Sequence, residues 1–281
     1  MRQYKLAYKL AAFDMDETLL APDASLSEYA VGVLRAIEKT GAKIVPCTGR
    51  PYGGTLPHLR RIGLETWGVF CNGAQIRGAL SGDILSEYPM LLEDALAATR
   101  MGEEAGGHTR LYMGDRVYVA HIVEDDRRYI QRTGSAVEEV GNLYAFLEKN
   151  LEANSNHSLL KLMNVMPDPE SVPALFEKSR RFFEGRLYVT QSLLTFVEYM
   201  RADASKGIGL KILADRWGIA KEDIVVAGDH LNDLTLFAEA GFSIAPQNAR
   251  PAVREAASCV CRSNAEDGVA RKLAEIFEIS L

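Results

Sequence analysis

The feature that most constrains this chain is a rhythm in which an apolar segment ends on a polar loop, a helix follows, and the pattern repeats. Leu6 to Phe13 reads as a buried strand and runs straight into Asp14. Ser27 and Glu28 open a helical pattern, with Tyr29, Val33, Leu34 and Ile37 on one face and Gly41 as its stop. Ala42 to Cys47 reads as a second strand in spite of Pro46, and delivers the chain to Thr48-Gly49-Arg50. A helix around Leu56 to Ile62 leads to a short strand, Gly68 to Cys71, that ends at Asn72-Gly73. Strands and helices alternating over short connections predict a parallel α/β sheet.

The rhythm breaks near Gly82 and returns at Lys206. Between them the spacing predicts hairpin strands about the Gly114-Asp115 turn, helices near Asp126–Thr133 and Ala136–Lys149, and an apolar strand from Leu159 to Met166. A helix from Ser171 to Phe183 and paired strands Leu187–Gln191 and Leu194–Met200 follow. This order predicts an α+β module. From Lys206 a helix to Trp217, strands Ile224–Ala227, Phe242–Ala245 and Ser258–Cys261, and their intervening helices resume the first pattern. The expected architecture is one α/β core interrupted by an inserted second domain, and 281 residues accommodate both.

Composition narrows the function classes. Lys and Arg number 32 against 38 Asp and Glu, a formal charge of -6, which argues against a protein that tracks nucleic acid on a basic face. No apolar run approaches the ~20 residues of a membrane span. Arg2, Lys5 and Lys9 interrupt the apolar region that a secretion signal needs. The four cysteines, Cys47, Cys71, Cys259 and Cys261, match neither a disulfide framework nor a zinc spacing, and are expected to be buried thiols. A cytoplasmic location, with no membrane or nucleic-acid partner, is the expectation.

Four motifs fall where strands meet loops. Asp14-Met15-Asp16 follows the first strand, at the carboxyl end where open α/β sheets place their ligands. Two carboxylates so close call for a cation or a retained proton, and both suit phosphoryl transfer with a hard Mg²⁺. Thr48-Gly49 offers a hydroxyl and backbone N–H groups to phosphate oxygens. Lys206 begins a helix, and Gly228-Asp229-His230-Leu231-Asn232-Asp233 follows an apolar strand, with Asp229 placed to complete a metal site. Taken singly, these have plainer readings as a solvated acidic turn, a helix cap, a surface lysine and a capped helix start. Their joint order is what carries information.

That order resembles the haloacid dehalogenase-like (HAD) superfamily, and closely its Cof-type phosphatases. The resemblance covers essentially the whole chain and includes Gln247-Asn248-Ala249 and Glu266-Asp267-Gly268-Val269-Ala270 near its end. Glu17 stands where the family usually has glycine, and Ala245-Pro246-Gln247-Asn248 replaces the usual Met-Gly-Asn. The resemblance implies a Rossmann-like parallel-sheet core of residues 1–82 and 202–281, with an inserted α+β cap at 83–201. It implies Asp14 as a nucleophile forming an aspartyl-phosphate, and Asp16 as the acid and base. It implies Mg²⁺ held by the Asp14 carboxylate, the Asp16 main-chain carbonyl and Asp229. Thr48, the Met15 and Gly49 N–H groups, Lys206 and Asn232 would grip the phosphoryl oxygens, and Asp233 would orient metal waters or Lys206.

The leading expectation is a Mg²⁺-dependent phosphomonoester hydrolase acting on small phosphorylated metabolites such as sugar phosphates. A phosphomutase or phosphotransferase of the same superfamily would want a basic cluster in the cap, for which Arg127, Arg128, Arg132, Arg180 and Arg181 are available. A phospho-responsive regulatory protein of receiver type would combine similar residues, without accounting for the insert. His121, His157 and Tyr112 are candidate contacts to the leaving group. The oligomeric state is left open.

Overall fold

The computed structural model describes residues 8–63, 65–151 and 158–280. Its strands in chain order are β1 (Leu10–Phe13), β2 (Lys43–Pro46), β3 (Trp67–Phe70), β4 (Gln75–Gly78), β5 (Ile84–Glu87), β6 (His108–Met113) and β7 (Arg116–Val119). They continue with β8 (Ala136–Glu139), β9 (Leu159–Val165), β10 (Leu187–Thr190), β11 (Phe196–Arg201), β12 (Ile224–Ala227), β13 (Phe242–Pro246) and β14 (Cys259–Cys261). Arg2, Lys5 and Leu6, named above, lie outside the described residues, as does His157.

The two α/β runs meet in one parallel sheet of order β14-β13-β12-β1-β2. Leu10 registers against Ile224 on one side and Lys43 on the other, so β1 is an interior strand. Its side chains alternate between faces. Ala11 and Phe13 join the core under helices Glu28–Lys39 and Gly268–Ile276, while Leu10 and Ala12 join the one under helix Lys206–Trp217. Both faces are covered, which explains why these strands read as continuous apolar runs. Ser27 caps the first of those helices and Ser205 the third, each accepting from the backbone N–H three residues on.

The inserted stretch builds a six-stranded sheet of order β10-β11-β9-β6-β7-β8, antiparallel except for the β7–β8 pair. Helices Leu92–Glu104, Leu143–Leu151 and Val172–Phe182 pack on one face through residues such as Ala98, Leu147 and Leu175. The other face, with Tyr112, Met163 and Met200, turns toward Cys71 and Ala74 of the core. Among the described residues no helix is long and apolar enough to cross a membrane.

Three local expectations need correction. The segment expected as a third parallel strand, β3, follows the end of β2 in parallel at one bridge, Cys47–Val69, and makes its ladder instead antiparallel with β4. The cause is Pro46. The Cys47 N–H points to Phe13 in β1 and the Thr48 N–H to Val69, so position 46 faces β3 and has no N–H to give. The helix expected over Ala136–Lys149 is instead strand β8 and a helix beginning at Leu143, separated by Gly141 at φ +71° and started by Asn142, whose side chain accepts from the Ala145 N–H. Cys259 and Cys261 are half-buried rather than buried, because β14 is an edge strand.

Candidate active site

The carboxyl ends of β1, β2 and β12 lie side by side, so Asp14, Thr48 and Asp229 emerge at one edge of the sheet. After Asp14 the chain makes a tight turn, closed by the Leu20 N–H on the Met15 carbonyl. Glu17 in that turn has φ +56°, a left-handed conformation that glycine adopts at no steric cost. The Asn248 side chain holds the Glu17 carbonyl at 2.8 Å and the Asn264 side chain that of Leu20 at 2.9 Å. The C-terminal motif therefore braces the loop that carries the two aspartates.

Asp14 is buried and its Oδ1 accepts from the Met15 N–H at 2.7 Å. The same oxygen lies 2.9 Å from Lys206 Nζ, which also reaches Asp233 Oδ1 at 2.7 Å. Lys206 sits in the first turn of its helix, where the helix dipole disfavours a cation, and it is 1% exposed. Only the carboxylates hold it charged there. Burial would lower its pKa, but Asp14 and Asp233 outweigh burial and raise it. The other oxygen of Asp233 accepts from the N–H groups of Asp229 and His230, at 2.9 and 3.0 Å. This fold-back needs Gly228, since a Cβ there would stand 2.3 Å from that of Asp233. Thr18 donates its hydroxyl to Asp229.

Carboxylate oxygens of Asp14, Asp229 and Asp233 lie within 4.8 Å of one another, all buried. Burial and then, despite Lys206, the charge of Asp233 push Asp14 up to about 7. Burial, then Asp233 and Asp14, raise Asp229 as well. Three hard oxygen donors facing one ammonium group carry an excess of negative charge, and this donor set fits a hard divalent cation.

Asp16 stands apart from that cluster. Arg50 grips it with two hydrogen bonds, at 2.7 and 2.6 Å. Burial alone would raise the Asp16 carboxyl, but the bonds and charge of Arg50 hold it below the usual range. Thr48 is fully buried and its Oγ1 accepts from the Arg50 N–H at 3.1 Å. The Gly49 carbonyl accepts from Lys161 at 2.7 Å. Asn232 donates to Asn72 at 3.0 Å.

A cleft lies between this edge and the inner face of the antiparallel sheet. Asp14, Asp16, Gly49, Asp229 and Asn232 line it from the core, and Tyr112, Tyr129, Arg132, Met163, Leu193 and Phe196 from the insert. Of the candidate contacts, Tyr112 reaches the cleft, whereas His121 is exposed beside His108. Of the insert arginines only Arg132 lines it. Arg127 and Arg128 face Glu124, Arg180 faces Glu177, and Arg181 lies on the outer helix. Arg50, Asn72, Lys161, Glu198 and His230 also line or support the site without having been singled out as site residues. A usable signal existed for two of them, because Lys161 and Glu198 are charges set in the middle of apolar strands.

The sequence model of the family described as haloacid dehalogenase-like hydrolase matches residues 11–273. The Bacillus subtilis protein YxeH is 29% identical over 272 residues, covering 96% of this chain and 98% of its own. The 5-amino-6-(5-phospho-D-ribitylamino)uracil phosphatase YitU of the same species is 26% identical, covering 96% and 98%. The structure of a haloacid dehalogenase-like hydrolase from B. subtilis superposes with a TM-score of 0.85 at 23% identity, over 94% of this chain and 98% of that one.

Proposed function

The chain belongs to the haloacid dehalogenase-like hydrolases and is a phosphatase of that family, and on this premise we propose that it hydrolyses small phosphomonoesters through an aspartyl-phosphate on Asp14. The observation that carries this reading is the buried cluster of Asp14, Lys206, Asp233 and Asp229 at the carboxyl ends of β1 and β12. Oδ1 of Asp14 is engaged by the Met15 N–H and Lys206, which leaves Oδ2 as the attacking atom. As the bond from Oδ2 to phosphorus forms, the ester P–O bond breaks and the leaving oxygen takes a proton from Asp16, which has first left Arg50 and been protonated. Asp16 then removes a proton from the water that hydrolyses the acyl phosphate. Lys206, Thr48, Asn232 and the Gly49 N–H hold the phosphoryl oxygens, joined by the Met15 N–H once it turns from Asp14 Oδ1, and Asp233 orients Lys206 and the Asp229 loop.

Asp14, Asp229 and the Asp16 carbonyl would hold Mg²⁺, which when bound offsets the charge of carboxylates and phosphate. Residues 83–201 act in this reading as a cap that covers the cleft and excludes water. Sugar phosphates suit the lining, since the apolar face of a sugar ring would lie on Tyr112, Met163 and Phe196 while Arg132 meets its hydroxyls.

The test is a panel of phosphorylated metabolites, sugar phosphates included, assayed with Mg²⁺ beside p-nitrophenyl phosphate. Hydrolysis is expected for the wild type and none for Asp14→Asn, whose amide cannot attack phosphorus. Near-wild-type turnover by Asp14→Asn would refute the nucleophile.

A further inference from the structure

The inner face of the antiparallel sheet carries two charges that this chemistry does not use. Lys161 of β9 and Glu198 of β11 form an ion pair at 2.9 Å with side chains 2% and 1% exposed. A fully buried pair adds little stability over an apolar pair of similar volume, because both charges lose their hydration. What distinguishes this pair is that each member has a second partner in the core layer. Lys161 donates to the Gly49 carbonyl at 2.7 Å, and Glu198 Oε2 accepts from Asn72 Nδ2 at 3.0 Å.

The second contact has a polarity. An ionised carboxylate only accepts, so it selects the NH₂ end of the Asn72 amide. The oxygen end of Asn72 must then face the other way, and it accepts from Asn232 Nδ2 at 3.0 Å. Asn232 in turn is left with its Oδ1 buried and without a partner among the described residues. Asn72 cannot drift to relax this order. It has φ +56°, and its neighbour Gly73 is so close to the start of helix Lys206–Trp217 that a Cβ would lie 2.1 Å from the Ser205 carbonyl oxygen.

We propose that Glu198, held by Lys161, is a positioning residue that acts through Asn72 to anchor one N–H of the Asn232 amide, so that its second N–H is held ready for a phosphoryl oxygen. The grip on phosphate is then complete only when the antiparallel sheet is seated on the core. The inference rests on the phosphatase reading for the identity of the group held by Asn232.

A polarity swap tests it. In Glu198→Gln, the glutamine must turn its oxygen to Lys161 and so opposes its NH₂ to that of Asn72. Asn72→Asp places two carboxylates against each other. In the double variant the glutamine donates to the new aspartate, whose other oxygen again accepts from Asn232. With p-nitrophenyl phosphate and Mg²⁺, each single variant is expected to lose about tenfold or more in kcat/KM. Inhibition by inorganic phosphate should weaken in parallel. The double variant should exceed the product of the single effects by about tenfold.

Losses that simply multiply would overturn the proposal. So would a KM that changes while inhibition by inorganic phosphate stays at the wild-type value, since Glu198 would then be touching the leaving group. If a single variant fails to fold, Lys161→Met with Glu198→Leu removes both charges. It should melt no lower than the wild type and still bind phosphate more weakly, whereas wild-type phosphate binding by that variant would refute the relay. If the wild type hydrolyses no ester, the phosphatase reading fails by itself. Titration calorimetry of inorganic phosphate with Mg²⁺ then decides the relay on the same variants.

Discussion

Arg50 holds both oxygens of Asp16, Nε to Oδ2 at 2.7 Å and Nη2 to Oδ1 at 2.6 Å, so the carboxylate proposed as acid and base is locked in its ionised form. Asp16 has to leave this fork before it carries a proton to a leaving alkoxide. Arg50 therefore sets both where Asp16 waits and how readily it is released. A lysine offers one point of attachment in place of two parallel bonds. Arg50→Lys is expected to lower kcat/KM by about 10²-fold on an alkyl phosphate, whose leaving group needs a proton. It should cost much less on p-nitrophenyl phosphate, whose leaving group does not. Equal losses on the two esters would show that Arg50 serves the phosphate and not Asp16.

Lys206 offsets only part of the charge that Asp14, Asp229 and Asp233 bring together. Mg²⁺ should therefore raise the melting temperature of the wild type in a concentration-dependent way, and chelation should abolish hydrolysis. Asp229→Asn removes one of the three charges. It should melt higher than the metal-free wild type and respond only weakly to Mg²⁺. Thermal shift against Mg²⁺ concentration checks both statements, and an unaltered response in Asp229→Asn would remove it from the metal site.

The insert has its own charge cluster. Burial alone would raise the Asp126 carboxyl, but hydrogen bonds from His108 and the Val123 N–H and the charge of Arg110 bring it to about 2. A carboxyl depressed on folding contributes stability above its unfolded pKa and loses it as pH falls through the folded one. The contribution is about 2 kcal/mol, present above pH ~4 and gone near pH 2. Asp126→Asn should be less stable at pH 7 and lose less between pH 4 and 2, as read by denaturant unfolding across that range.

Gly73 has φ +104°, and a Cβ there would lie 2.1 Å from the Ser205 carbonyl oxygen. Gly73→Ala is both conformationally strained and forced against backbone that cannot move aside without shifting Lys206. A loss of about 2–4 kcal/mol in unfolding free energy is expected, with a fall in kcat that lowering the temperature does not restore. Gly114→Ala has open space around the Cβ and strains only the turn, so it should be milder.

The parallel core and the order of its motifs were legible because the apolar strands β1, β2 and β12 each run straight into a polar motif, at Asp14, Thr48 and Asp229. Asp14, Lys206, Asp229 and Asp233 come together as their positions at strand and helix ends suggested. Contacts between distant segments were not legible. Nothing local in Thr48-Gly49-Arg50 says that its arginine faces Asp16, or that Asn72 meets Glu198, since both pairings depend on how two sheets stack. The break of the helix near Gly141 was missed for another reason. Val137, Val140 and Leu143 fit a helical period as well as they fit a strand and a helix start, and only the pairing of Val137 with Val117 decides between them.

Strand β1 has a neighbour from each half of the chain, β2 close by in sequence and β12 after the whole insert. During synthesis, β1 can pair on its β2 side early, yet its other edge stays open until Ile224 to Ala227 have left the ribosome. By contrast, every strand of the six-stranded sheet lies between His108 and Arg201, so that sheet can close while the core is still half made. The slow, exposed step of folding is then the arrival of β12 beside an unsatisfied, wholly apolar edge. Asp14 and Asp229 thus stay apart until the last fifth of the chain arrives, and the cleft they line is not formed before its sheet is whole.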